Sequence, residues 1–107
     1  MTTLLALDIG GTKVGWGIVE AGDTYEVTER GSIPTDAMRG GADVAARICD
    51  LASSLVASHP QVSGVAVASA GVVDPSTGDI VSATGTMPGW GGTPLGVLLQ
   101  EATGLKA

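Results

Sequence analysis

The chain has 107 residues, 44% of them hydrophobic, which gives room for one domain with one packed core and is too apolar for a disordered tail. Its 5 Lys+Arg against 11 Asp+Glu give a formal net charge of −6 with no basic stripe, which argues against a nucleic-acid or anionic-membrane binder. A single cysteine, Cys49, cannot close an internal disulfide, no secretory signal opens the chain, and no apolar run nears the ~20 residues that span a bilayer, so a soluble cytoplasmic protein is expected.

Residues 4–9 form a short apolar run, predicted to be a strand buried on both faces, that ends in Asp8-Ile9-Gly10-Gly11. Val14, Trp16 and Ile18 then alternate with Lys13, Gly15 and Gly17, the period of two of a second strand. Ala21-Gly22-Asp23 reads as a turn, and residues 25–33, rich in β-branched side chains, as the third strand of an antiparallel meander. A loop over 34–41 follows. From Asp43 the period changes: Val44, Ile48, Leu51 and Leu55 mark an amphipathic helix that Pro60 stops, with Asp43 and Arg47 paired one turn apart.

Residues 62–70 are apolar on both faces, as in a central strand reached by a crossover. Residues 72–81 read as a hairpin around Asp74-Pro75-Ser76-Thr77-Gly78, and residues 87–92 as a Gly-rich loop. Thr93 as N-cap and Pro94 as first helical residue open a last helix, with Leu95, Leu98 and Leu99 inward and Gly104 as its stop. The order is βββ-α-β-hairpin-α in one domain, residues 1–107.

The sharpest chemical feature is Asp8-Ile9-Gly10-Gly11-Thr12-Lys13. Two glycines between strands bring consecutive N–H groups close to a ligand; Thr12 adds a hydroxyl and Lys13 a cation. Asp8 adds a carboxylate, which beside phosphate-binding amides makes sense with a hydrated Mg²⁺ between them, pointing to a nucleotide triphosphate. A Rossmann fingerprint or a Walker loop opens a helix, whereas these glycines open a strand. Taken alone, the loop also fits an ordinary hairpin turn with Asp8 and Lys13 exposed on its flanks.

Two further segments extend the pattern. Leu7-Asp8-Ile9-Gly10-Gly11-Thr12-Lys13, Val65-Ala66-Val67-Ala68-Ser69-Ala70-Gly71-Val72-Val73-Asp74 and Met87-Pro88-Gly89-Trp90 before Thr93-Pro94-Leu95 together resemble, in order and spacing, the ROK family of bacterial sugar kinases and related repressors. The resemblance covers essentially the whole chain. It implies an α/β, ribonuclease-H-like domain of the actin/hexokinase ATPase type: a mixed sheet with antiparallel β1-β2-β3, then α-β-hairpin-α, the final strand missing.

It also implies that Gly10, Gly11, Thr12 and Lys13 line the ATP phosphates and that Asp8 helps hold Mg²⁺. Ala70 and Gly71 would edge the sugar site, although a turn that merely needs glycine explains them equally well. Thr86 stands where family members often carry an Asn or Asp that contacts sugar hydroxyls. Trp90 could wall the sugar site, with a core anchor on the last helix as the weightier alternative. His59 is read as a solvated helix end, Cys49 as inert, and Glu20, Asp23, Glu26 and Glu29 as a solvated rim.

By the same resemblance the general base is an Asp on the strand after the last helix, and a Cys-rich zinc motif, a second phosphate loop and the adenine pocket also lie downstream. The segment alone is therefore expected to position ATP and part of a sugar without catalysing transfer. An unpaired edge at residues 65–70 is expected to favour a homo-oligomer or a strand-exchanged dimer. The competing functions are the sugar-sensing domain of a ROK-type regulator, less favoured because the glycine motif begins within ten residues of Met1, and a non-catalytic ligand-binding module.

Overall fold

A computed structural model describes residues 2–69, 71–82 and 87–107. Strands β1 (Thr2–Ile9), β2 (Lys13–Ala21) and β3 (Tyr25–Pro34) form the expected antiparallel meander, with Leu7 opposite Trp16 and Val14 opposite Ile33. A 3₁₀ turn (Ala37–Arg39) leads into α1 (Gly41–Ser58), two residues earlier than its periodicity suggested. The chain returns in β4 (Val62–Ser69), parallel to β1, giving a sheet ordered β3-β2-β1-β4. A separate two-stranded ribbon, β5 (Val72–Val73) and β6 (Ile80–Ser82), precedes α2 (Leu95–Thr103). This is the ribonuclease-H-like α/β arrangement that the motifs implied.

Both helices lie on one face of the sheet. Leu5, Leu7 and Ile9 of β1 meet Val44 and Ile48 of α1 and Leu95 and Leu99 of α2, all at most 2% exposed. Each side chain so buried contributes about 1.5–3 kcal/mol. The opposite face is not covered. Leu4 and Ala6 are half-buried and Asp8, Ala66 and Ala68 exposed, which corrects the reading of residues 4–9 as buried on both faces. Apolar alternation reports what a face is suited to contact, and here small side chains floor an open trough of about 840 Å³.

Two terminal details differ from expectation. Thr93 does not cap α2: Pro94 holds the N-cap position with no side-chain cap, while the Thr93 carbonyl accepts the Ile80 N–H at 2.8 Å and the Leu95 N–H at 2.9 Å. Thr93 thus stitches β6 to the helix start. The β4 edge expected to be unpaired is engaged at Val65, since Lys106 forms an isolated parallel bridge to Gly64 and its carbonyl accepts the Val65 N–H at 2.9 Å. Gly104 ends α2 as expected, at φ 72°, a left-handed value that suits glycine.

His59 is not simply solvated. Its Nδ1 lies 2.8 Å from the Leu55 carbonyl oxygen and its Nε2 2.6 Å from the Glu29 carboxylate, tying the end of α1 to the edge strand β3. Both partners are acceptors, so both bonds form only when the ring carries two protons. The Glu29 contact, then the Leu55 carbonyl, accordingly raise the His59 pKa. A raised pKa gives stability that is fully present below the unfolded value of about 6.5 and lost as pH climbs through the folded value. The melting temperature of the parent should therefore fall between pH 6 and pH 8 by more than that of Glu29→Gln; equal slopes would show that the pair adds nothing.

Candidate functional site

Strand geometry brings the three sequence motifs to one end of the sheet. β1 and β4 are parallel with Ile9 opposite Ser69, so the loop after β1 and the turn after β4 both leave from their carboxyl ends. Ligands of open α/β sheets bind outside such ends. The third motif is fastened there as well, because the Trp90 indole N–H donates to the Ser69 hydroxyl at 3.0 Å.

The diglycine loop is three residues long. The Gly10 N–H donates to the Lys13 carbonyl at 3.0 Å, closing the turn. A Cβ on Gly10 would lie 3.3 Å from that same oxygen, a tight approach that favours glycine here. Neither Gly10 nor Gly11 has a positive φ, so backbone freedom to turn is not the reason. Gly11 and Thr12 are exposed, and among the described residues nothing accepts a hydrogen bond from their N–H groups. Asp8 and Lys13, also exposed, lie on the open side of the sheet and border the same trough. Two unpaired amide donors, a cation and a carboxylate thus occupy one solvent-facing corner.

The other site expectations divide. Gly71 is exposed at φ 90°, a conformation that disfavours any other residue, so it forms the turn after β4. Ala70 and Thr86 lie outside the described residues. Trp90 is wholly buried and shows no ring face to solvent, so in this structure it is a core anchor and not a wall. Asp74 accepts the Ser76 N–H at 2.9 Å and hydroxyl at 2.7 Å, contacts that hold its carboxyl below the usual range and commit it to the turn. Burial, then the neighbouring Asp50, push the Cys49 thiol up, in keeping with an inert cysteine. Among the described residues no three His, Cys, Asp or Glu side chains gather into a metal cluster.

Sequence reasoning missed Thr35. It is 0% exposed, its N–H donates to the Thr12 carbonyl at 3.0 Å, and its hydroxyl donates to the Gly10 carbonyl at 2.7 Å. Arg47 donates from Nη2 to the Thr35 carbonyl and from Nη1 to the Pro34 carbonyl at 3.1 Å, while its Nε reaches Asp43 at 2.8 Å. The hydrogen bond from Arg47, aided by the charge of Arg39, holds the Asp43 carboxyl below its ordinary range. The only sequence signal was the Asp43/Arg47 spacing, which reads as a surface helix pair.

The chain matches the ROK family over residues 4–107. It belongs to that family. An uncharacterized protein of Clostridium perfringens is 32% identical over 102 residues, covering 94% of this chain and 33% of the relative. A ROK family glucokinase from Streptomyces griseus, solved with glucose and AMPPNP, superposes with a TM-score of 0.79 at 23% identity, over 97% of this chain and 31% of that one. A ROK family transcriptional regulator, a homologue of the E. coli MLC protein, does so at 0.78 and 21% identity, over 97% and 26%. At these identities the two structures show the fold. The ROK segment spans about a third of the length of the curated relative.

Proposed function

We propose that this segment is the N-terminal, phosphate- and sugar-binding part of an ATP-dependent sugar kinase, acting on a hexose or N-acetylhexosamine hydroxyl in the cytoplasm. The observation that carries the reading is the pair of unpaired amides on Gly11 and Thr12, set beside Lys13 and Asp8 at the carboxyl end of β1. Backbone N–H groups that meet no protein acceptor are suited to the oxygens of a polyphosphate, and an acidic chain needs such local donors. Lys13 adds a point charge.

Asp8, one exposed carboxylate outside any acidic cluster, fits Mg²⁺, which binds through one or two carboxylates and otherwise keeps waters and phosphate oxygens. When bound, the ion neutralises phosphate charge. Gly71, with Ala70 and Thr86, is assigned to the sugar side. No described carboxylate is assigned as general base, because Asp74 is engaged by its own turn, so binding without turnover is the expectation for these residues alone. The exposed Ala66 and Ala68, on an outermost strand that Lys106 engages at Val65, support self-association or strand exchange; a monomer by light scattering at high concentration would remove that corollary.

The reading is tested by titrating ATP, with and without Mg²⁺, into the parent, Gly11→Val and Asp8→Ala. Gly11→Val places a branched side chain beside the free amides and should weaken ATP binding about tenfold or more, the scale of one to two charge-assisted hydrogen bonds. Asp8→Ala should erase the Mg²⁺ dependence. ATP binding unaltered by either change would refute the phosphate-loop assignment. The second reading, a sugar-sensing segment of a regulator, has support in the likeness to the regulator fold, and predicts hexose binding with no response to ATP.

A further inference from the structure

We propose that Thr35 is a positioning residue that aims the diglycine loop at phosphate; the inference rests on the reading of Gly10 to Lys13 as a phosphate loop. A trans peptide is planar, so its C=O and the following N–H point in opposite directions. No peptide in the described chain is cis. The Thr35 hydroxyl holds the Gly10 carbonyl from inside at 2.7 Å, which turns the N–H of Gly11, in the same peptide plane, outward. The Thr35 N–H holds the Thr12 carbonyl at 3.0 Å, so the exposed Gly11 and Thr12 are bracketed by two inward anchors on one buried residue.

The latch answers a need that the loop creates. Two adjacent glycines rotate their shared peptide plane at little steric expense, and a loop free to flip would present a carbonyl to the ligand about as readily as an amide. Neither glycine can supply the restraint, so it comes from the strand end 25 residues away. Thr35 is itself held: its carbonyl and that of Pro34 both accept from Arg47, whose Nε is fixed by Asp43 on the first turn of α1. The chain of contacts runs from helix to strand end to loop, and its last member is an outward N–H.

The experiment compares the parent chain with Thr35→Val, Thr35→Ser and Arg47→Gln. It reads the ATP dissociation constant by calorimetry, the mobility of the Gly11 amide by ¹⁵N relaxation, and the melting temperature. Thr35→Val keeps the shape and removes the hydroxyl; ATP affinity should fall about tenfold, the worth of one hydrogen bond at the upper end of its range, and the Gly11 amide should become mobile. Thr35→Ser keeps the hydroxyl and should stay within about twofold of the parent. Arg47→Gln, on the exposed side of the latch, should shift both readouts the same way by a smaller factor.

A purely structural residue would lower the melting temperature and leave the affinity of the folded fraction alone. Parental affinity and parental Gly11 order in Thr35→Val overturn the proposal, and if that variant does not fold, the same result in Arg47→Gln does so. A parent chain that binds no ATP, with a Gly11 amide that still loosens in Thr35→Val, sinks the phosphate-loop reading and with it this role for Thr35. Binding in the parent that is unchanged in the variants sinks the latch alone.

Discussion

Trp90→Ala is expected to destabilise the domain by about 3–5 kcal/mol, the range for emptying a buried aromatic site. The indole is 0% exposed, and the residue also holds the 87–93 segment in place: its N–H donates to the Met87 carbonyl at 3.2 Å and its carbonyl accepts from the Thr93 N–H at 3.1 Å. For a domain of about 100 residues each kcal/mol shifts the melting temperature by roughly 4–8 °C, so the variant should be largely unfolded at physiological temperature. Trp90→Phe keeps most of the apolar area but withdraws the donor from Ser69, and should lose about 1–2 kcal/mol. Urea denaturation of the three proteins gives the order. A Trp90→Ala protein that melts like the parent yet loses hexose binding would restore the ring to the sugar site.

The contrast between Trp90 and Thr35 shows which parts of this structure are legible in the sequence. Strand period two in Val14, Trp16 and Ile18, helix period in Val44 and Ile48, and the glycine after α2 are local patterns, and each folds as its period dictates. The diglycine loop was legible because its residues are adjacent. Thr35 was not, since a threonine after Pro34 carries no periodic or compositional mark and its partners lie 23 and 25 residues back. Thr93 was misread for a related reason: its place before Pro94 is that of an N-cap, but its carbonyl is taken by Ile80 from a distant ribbon. His59 likewise acquires its meaning from Glu29, 30 residues earlier. Contacts across the sheet leave no trace in spacing.

Among the described glycines whose added Cβ would meet other backbone, Gly41→Ala should be the most damaging. Propensity alone argues the reverse, since alanine in place of glycine in a helix is favoured by about 1 kcal/mol. Here a Cβ would stand 2.0 Å from the Gly89 carbonyl oxygen, 2.4 Å from its carbon and 2.8 Å from the Trp90 nitrogen, all backbone atoms with no side chain to swing away. Either the start of α1 or the Pro88-Gly89-Trp90 stretch must move, and the second displaces the Trp90 bond to Ser69 at the end of β4. The expected loss is about 3 kcal/mol or more, the upper range for overpacking. Gly40→Ala is the informative neighbour: at φ 99° it is strained, but its Cβ meets nothing within 4 Å, so a loss of about 1–2 kcal/mol is expected. Denaturation midpoints ranked parent, Gly40→Ala, Gly41→Ala would confirm that α1 is set against the Pro-Gly-Trp stretch by direct backbone contact. A Gly41→Ala protein as stable as the parent would mean that this contact is absent, and the third motif would then be held by the Trp90 bond to Ser69 without support from the start of α1.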